Sequence, residues 1–296
     1  MLSRRDALKR MGAMAAGAAV VGCTGESASG GAVGEATAEA AASSASPIGP
    51  IGVQLYTVRA EMAQGVEATL ERVAAIGYDE VEFAGYFGHA PAEIRDMLAR
   101  TGLRSPATHI GPDFEADAWA RILDDANEIG HQSVVVASIP QAMRSDLDSW
   151  RQTAAVMTDA GERARAAGLA YAYHNHDFEF EEMEGRVAFD VFCEESDADL
   201  VSIELDLFWI IHGGADPIEF INRWPGRIPM VHVKGRMAGG EMVDVGAGVI
   251  DWAGIFEHAE HGGIRHFFVE HDTPVDAFAS IESSYAYMGG LRDGAI

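Results

Sequence analysis

The chain has 296 residues, 48% of them hydrophobic, which suits one soluble domain with a full core and leaves little for a second. Its formal net charge is -25, from 21 Lys and Arg against 46 Asp and Glu. Because proteins bind nucleic acids by neutralising phosphates with basic side chains, this charge argues against DNA or RNA as a partner.

The first residues are predicted to be an export signal. The twin arginines Arg4 and Arg5 precede a weakly apolar run, Met11 to Gly22, which is too short to span a bilayer. The run ends in Val-Val-Gly-Cys, which resembles the lipobox of bacterial lipoproteins. We therefore expect a twin-arginine lipoprotein-type signal peptide over residues 1–22 and lipidation of Cys23. A plain secretory signal with a chance cysteine is the alternative.

The location predicted for the mature protein follows from this signal. Export by the twin-arginine route leads to the periplasm or cell envelope, with membrane contact only through the N-terminal lipid anchor. Residues 23–47 are rich in Ala, Ser, Gly and Glu and contain no aromatic residue, which indicates a flexible linker. If Cys23 is lipidated, Cys193 has no partner, and we expect it to be a buried thiol.

Strand-like and helix-like segments alternate beyond residue 50. The helical segments include Val66 to Ile76, stopped by Gly77, and Trp150 to Ala167, stopped by Gly168. A doubly wound sheet is the competing fold, but the first strand is not followed by a glycine-rich nucleotide turn. Eight strand-helix units favour a single (β/α)8 TIM barrel over residues 48–296. The eight predicted strands are IGVQLY, DEVEFAG, RSPATHI, SVVVASI, AYAYHNH, VSIELDL, PMVHVKG and HFFVEHD.

Alternation along the last four strands predicts an ionisable cluster in the barrel lumen. Each of these strands turns two such side chains inward near its carboxyl end, the face that carries active sites in this architecture. The side chains are His174 and His176, Glu204 and Asp206, His232 and Lys234, and Glu270 and Asp272.

Such a cluster needs charge neutralisation, and one divalent metal ion would supply it. We predict His174, Asp206, His232 and Glu270 as its ligands. Two imidazoles with two carboxylates suit Mn, Zn, Co or Fe better than Mg. The alternative is that the histidines are hydrogen-bonded strand ends and that Asp206 only caps the next helix.

Several segments resemble the strand-end motifs of the xylose-isomerase-like TIM barrels, a family usually labelled sugar phosphate isomerase/epimerase. The resemblance implies a divalent metal held from strands five to eight, commonly by Glu, Asp, His and Glu. It places Asp206, His232 and Glu270 as ligands, with His174 where many relatives have glutamate. Gly235 stands where an aspartate is usual. The segments are GVQLYTVR, EVEFAGYFG, YHNHDFEF, ELDLFW, HVKGR, GAGVIDW and VEHD.

The expected chemistry is proton abstraction beside a carbonyl of a sugar or sugar derivative, which forms an enediolate. Glu270 is the predicted general base, Lys234 the oxyanion stabiliser or acid, and His176 a proton relay. The alternatives are that Lys234 only forms ion pairs and that His176 only supports the ligands. The residues predicted to contact the carbohydrate are Gln54, Glu82, Tyr86, Phe87, His109, Glu204 and Trp209.

Three functions remain open on these residues. The first is a metal-dependent carbohydrate isomerase or epimerase. The second is a keto-sugar or keto-glycoside lyase, hydratase or hydrolase on the same metal site, which the replacement of one glutamate base by His174 favours. The third is a non-catalytic sugar-binding envelope lipoprotein. An endonuclease is disfavoured because it needs more metal ligands and a basic groove, and the sequence does not indicate an oligomeric state.

Overall fold

A computed structural model describes residues 46–296, and the predicted signal peptide, Cys23 and nearly all of the predicted linker lie outside this range. Eight parallel strands form a closed barrel, in which β1 pairs with β2 on one side and with β12 on the other. The predicted (β/α)8 barrel is therefore confirmed. The barrel strands are β1 Ile51–Gln54, β2 Glu80–Phe83, β3 Arg104–Ile110, β4 Ser133–Val136, β5 Ala170–His174, β8 Ser202–Asp206, β9 Met230–Val233 and β12 His266–Val269.

Helices surround the barrel, and two short antiparallel hairpins, which the sequence patterns did not predict, extend from its loops. The hairpins are β6 Glu182–Met183 with β7 Arg186–Val187, and β10 Gly235–Arg236 with β11 Met242–Val243. The helices are α1 Arg59–Met62, α2 Val66–Ile76, α3 Pro91–Thr101, α4 Ala116–Ile129, α5 Leu147–Ala166, α6 Ala188–Glu195, α7 Leu207–His212, α8 Pro217–Arg223, α9 Trp252–Phe256, α10 Ala259–Gly262 and α11 Ala277–Arg292. None of them is long and apolar enough to cross a bilayer.

Helix boundaries follow the capping residues. Helix α2 has the predicted bounds, and Gly77 ends it in the left-handed conformation with φ of 115°. Helix α5 begins at Leu147 rather than at the predicted Trp150, because the side chain of Asp146 accepts a hydrogen bond from the Ser149 amide and caps an earlier turn.

Apolar side chains pack into two separate clusters, one outside the barrel wall and one in its lumen. Outward side chains such as Tyr173, Ile203 and Val231 pack against the helices in one continuous core, which also buries the free thiol of Cys193. Inside the lumen a smaller apolar group of five residues forms a second cluster: Ala107, Val135, Ala172, Met230 and Phe268. Four of these precede an ionisable lumen residue by two positions on the same strand, so an apolar layer lies next to the ionisable one.

His131, at the start of β4, is a buried histidine away from the lumen. Its Nδ1 lies 2.9 Å from the carbonyl oxygen of Ser105, which can only accept, so Nδ1 carries the proton. Its Nε2 then accepts from the hydroxyl of Tyr86 at 3.1 Å. Burial lowers the pKa of His131 to about 4, despite the hydrogen bond to Ser105. The folded state therefore holds this imidazole neutral.

This burial predicts a contribution to acid sensitivity. The pKa of His131 is lower in the folded chain than in the unfolded one, so its stabilisation is complete above about pH 6.5 and is lost as the pH falls towards 4. Between pH 7.5 and 4.5 the loss is about 2.5 kcal/mol. Urea unfolding across this range should show a shallower fall in unfolding free energy for His131→Asn than for the wild type. Equal slopes would contradict the assignment.

Candidate active site

A cavity of about 690 Å³ opens at the carboxyl ends of the barrel strands. This is the end at which TIM barrels carry their active sites. Of the predicted catalytic and metal-binding residues, His174, His176, Lys234 and Glu270 line it, together with the predicted substrate contact His109. The remaining lining residues are Tyr56, Arg59, Ala84, Gly85, Ile110, Gly111, Pro112, Ala137, Ser138, Asp272 and Thr273.

The four predicted metal ligands meet beside this cavity. His174, Asp206, His232 and Glu270 are all buried, and each contributes a ligand atom to a group whose members lie within 4.8 Å of one another. We call this group the His174 cluster. His174 Nε2 lies 3.3 Å from Asp206 Oδ2, and His232 Nδ1 lies 3.7 Å from the same oxygen and 2.7 Å from Glu270 Oε2.

Hydrogen bonds to nearby backbone groups orient two of these side chains. His174 Nδ1 lies 3.1 Å from the carbonyl oxygen of Ala137, so it carries the proton and Nε2 keeps its lone pair. Asp206 uses Oδ1 to cap helix α7 through the amides of Phe208 and Trp209, both at 2.9 Å, and leaves Oδ2 for the cluster. Asp206 is thus the predicted helix cap and a member of the cluster at once.

The remaining two ligands also converge. His232 Nδ1 and Glu270 Oε2 are buried and only 2.7 Å apart, and Glu270 Oε2 lies 2.8 Å from Lys234 Nζ as well. His232 Nε2 lies 2.8 Å from Glu82 Oε2 and donates to it, so a neutral His232 ring carries its lone pair on Nδ1. Two buried lone-pair atoms that face a common point fit a metal ion better than they fit each other. Imidazole and carboxylate donors suit a divalent transition metal.

Lys234 neutralises part of the charge beside this cluster. Its Nζ lies 2.8 Å from Glu270, 2.8 Å from Asp272 and 3.0 Å from Asp206. Burial by itself lowers the pKa of Lys234, but these three carboxylates raise it well above its usual value. Three carboxylates around one ammonium leave an excess of negative charge, which a divalent cation compensates.

The two carboxylates of the cluster stay ionised. Burial favours the neutral form of each, but Lys234 and the neighbouring histidines lower the pKa of Asp206 to about 2 and hold the pKa of Glu270 well below its usual range. Glu270 is therefore present as a carboxylate, the form that accepts a proton, at neutral pH.

His176 lies beside the cluster, with its ring centroid 5.0 Å from that of His174. Burial and the neighbouring His174 lower its pKa to about 3, so the ring is neutral. Its backbone amide donates to Glu179, while its Nδ1 is buried with no hydrogen-bond partner in the described chain. His176 stacks on Phe178 at 5.6 Å and lies 5.7 Å from Trp209, so these rings form one aromatic wall.

The predicted substrate contacts separate into two groups. Gln54, Glu82 and Glu204 are fully buried inside the barrel and do not line the cavity. Gln54 donates to Glu82, and Glu204 Oε2 lies 2.6 Å from His109 Nε2. Tyr86 directs its hydroxyl to Thr108 and His131, and Phe87 is 41% exposed on a loop. Neither of these two aromatic residues lines the cavity.

Arg59 and Asp272 belong to the site but were not among the predicted site residues. Asp272 pairs with Lys234, and Arg59 donates to the backbone oxygen of Asp272 at 2.9 Å. Asp272 was recognisable as an inward residue of the last strand, two positions after Glu270. Arg59 is the first residue of the short helix α1, after the first strand, where strand alternation carries no information.

Gly235 follows Lys234 and departs from the family pattern for a steric reason. A Cβ at this position would lie 2.3 Å from the backbone oxygen of Asp244 and 2.5 Å from that of Val243. The β10–β11 hairpin therefore occupies the space that an aspartate side chain needs. The ammonium of Lys234 pairs with Asp272 instead.

If the His174 cluster binds a metal ion, substitution of its residues should lower the metal content of the protein. His174→Ala and Glu270→Gln should each lower the tightly bound metal of the purified protein by about one equivalent per chain, measured by elemental analysis after reconstitution with Mn, Co or Zn. Glu257→Gln alters an exposed carboxylate and serves as the matched control. Unchanged metal content in both cluster variants would contradict the assignment.

Known proteins resemble this chain along most of its length. The family pattern described as xylose isomerase-like TIM barrel matches residues 70–288. Inosose dehydratases from Geobacillus kaustophilus (strain HTA426) and Lacticaseibacillus casei are 24% and 27% identical, each over 57% of this chain. The matches cover 61% and 62% of those two proteins, so the chain spans about three fifths of the length of these curated relatives.

Solved structures agree with this relationship. A sugar phosphate isomerase/epimerase from Parabacteroides distasonis ATCC 8503 is 26% identical, with a TM-score of 0.73, and the match covers 86% of this chain and 98% of that one. The barrel, the residues at its strand ends and the extent of the family match lead to one conclusion. The protein belongs to the xylose isomerase-like TIM barrel family.

Proposed function

We propose that the protein is a divalent-metal-dependent enzyme that removes a proton beside the carbonyl of a sugar or sugar derivative. The observation that carries this proposal is the convergence of His232 Nδ1, Glu270 Oε2 and the Lys234 ammonium at the base of a cavity. Buried titratable groups that converge on a cavity mark a reaction site. The two curated relatives reported above are named as dehydratases, which are enzymes. This supports a catalytic function for the protein.

The ligands of the His174 cluster suit Mn, Zn, Co or Fe, and such an ion supplies Lewis-acid polarisation of the carbonyl. Glu270 is the general base in this proposal, because it is ionised and lines the cavity. Lys234 stays protonated and stabilises negative charge that develops on the substrate oxygen. His176, whose ring lines the cavity beside His174, is the proposed proton relay.

The cavity suits a carbohydrate in size and lining. Its volume of about 690 Å³ falls in the range of small-molecule sites. His109 and Asp272 offer hydrogen bonds at its wall, and the ring of His176 offers a flat surface for the carbon face of a sugar. The proposed substrate is therefore a hydroxylated carbonyl compound of monosaccharide size.

Two reactions begin with this proton removal. An isomerase or epimerase returns a proton to the carbon skeleton, whereas a dehydratase expels the hydroxyl group of the next carbon. Dehydration is the second candidate because His174 stands where many relatives have a second glutamate base, and Asp206 is engaged as a helix cap and does not line the cavity. The two curated relatives named above are inosose dehydratases, which also supports elimination.

Proton exchange tests the shared first step. With a panel of keto-sugars and inososes in D2O, the metal-loaded wild type should exchange the proton beside the carbonyl, as followed by proton NMR. Glu270→Gln should slow this exchange by about 10²- to 10⁴-fold because the base is gone. Glu257→Gln should keep the wild-type rate.

The reaction products distinguish an isomerase or epimerase from a dehydratase. A rearranged or epimerised sugar indicates an isomerase or epimerase, and an unsaturated or diketo product with loss of water indicates a dehydratase. Binding of a sugar without exchange of any carbon-bound proton would instead favour the non-catalytic sugar-binding lipoprotein.

We also propose that the enzyme works in the cell envelope, exported by the twin-arginine route and anchored through Cys23. The support is the order of Arg4, Arg5, the short apolar run and Cys23 in the sequence. In a bacterial host, wild-type protein should fractionate with membranes and Cys23→Ser should be recovered in the soluble fraction. A Cys193→Ser control should behave as the wild type, and equal fractionation of Cys23→Ser and wild type would contradict the anchor.

A further inference from the structure

A second group of possible metal ligands lies inside the barrel, next to the His174 cluster. It consists of Glu82, His109, Glu204 and His232, and we call it the His109 cluster. Its ligand atoms also lie within 4.8 Å of one another. Glu82, Glu204 and His232 have no exposed side-chain surface, and the side chain of His109 is 11% exposed. The proposed reaction uses His232 as a metal ligand and His109 as a hydrogen-bonding group at the cavity wall, and it gives no role to Glu82 or Glu204.

The four polar atoms of this cluster alternate around a ring. His232 Nε2 lies 2.8 Å from Glu82 Oε2 and 3.3 Å from Glu204 Oε2. His109 Nε2 lies 2.6 Å from Glu204 Oε2 and 3.5 Å from Glu82 Oε2. Each nitrogen thus faces both oxygens. A tetrahedral ion with bonds of about 2.0–2.1 Å separates its ligand atoms by about 3.3 Å, which matches the two longer spacings, while the two shorter ones would open by about 0.5–0.7 Å.

The hydrogen bonds within the described chain do not satisfy this cluster. His109, His232 and Gln54 all direct their N–H groups at the two Oε2 atoms. Glu82 Oε1 and Glu204 Oε1 are buried and have no partner within residues 46–296. A buried unsatisfied oxygen costs about 1–3 kcal/mol, and more when it is charged. A cation bound through the two Oε2 atoms would neutralise both carboxylates and so lower the cost of burying their Oε1 atoms.

We propose that Glu82, His109, Glu204 and His232 hold a second divalent transition-metal ion, separate from the one in the His174 cluster. Two imidazole nitrogens and two carboxylates select Zn, Co, Fe or Mn over Mg and Ca. His109 lines the cavity, so the ion has a route from solvent to the cluster. The two negative charges of Glu82 and Glu204 balance the ion.

His232 connects the two sites. Its Nδ1 faces the His174 cluster, and its Nε2 faces the His109 cluster. When only the His174 site is filled, Nε2 keeps its proton and donates to Glu82. When both are filled, that proton leaves to solvent and the ring bridges the two ions as an imidazolate. The two sites are therefore coupled through one side chain.

Metal stoichiometry tests the proposal. Full-length protein is stripped with a chelator and titrated with Co²⁺, with bound cobalt followed by absorbance and the end point measured by elemental analysis. The wild type should bind two equivalents per chain. His109→Ala and the isosteric Glu204→Gln should each bind one, and His174→Ala should also bind one. His261→Ala, which removes an exposed histidine, should still bind two.

Other outcomes overturn the proposal in distinguishable ways. One equivalent in the wild type, lost in His174→Ala and kept in His109→Ala, refutes the second site and leaves the proposed function intact. Two equivalents in the wild type that persist in both His109→Ala and Glu204→Gln place the second ion elsewhere. No bound cobalt in the wild type refutes this site and the metal dependence of the proposed reaction together. If a variant fails to fold, a wild-type end point of one equivalent or none still refutes the second site.

Discussion

The imidazole of His232 is the element on which the rest of the lumen depends. It is fully buried, and its two nitrogens face opposite carboxylate groups, Glu270 on one side and Glu82 on the other. A buried charge without a partner is expensive, so the positions of these carboxylates and of Lys234 are constrained by where the ring points. The ring in turn is fixed by β9, whose outward residues Val231 and Val233 pack into the core.

The apolar side chains in the lumen also restrict where the ionisable side chains beside them can lie. Met230 and Phe268 precede His232 and Glu270 by two positions, and they fill the lumen with apolar side chains. Gly52 makes room for this packing, because a Cβ there would lie 2.5 Å from the ring of Phe268. A dry apolar layer beneath the ionisable one lowers the local dielectric, so each ion pair above it is stronger than at a protein surface.

Much of this arrangement could be predicted from the sequence, because strand alternation is a local property. The period of two along β5, β8, β9 and β12 was sufficient to turn His174, Asp206, His232 and Glu270 inward. The His109 cluster is different, since it depends on which residues of distant strands meet. Glu82 and His232 are 150 positions apart, and His109 and Glu204 are 95 apart. Tyr86 lies on a loop and Arg59 lies at the start of the short helix α1, and neither position follows from the strand repeat.

The closure of the barrel has a consequence for how the protein folds. Strand β12 supplies Glu270 and pairs with both β1 and β9, so the strand that completes the cluster is also the one that joins the two ends of the sheet. During synthesis, a chain that ends before β12 lacks both the closing strand and Glu270. A metal ion that binds only the closed barrel stabilises it by mass action. If the proposed ion binds there, its acquisition would be a late event that locks a barrel already assembled.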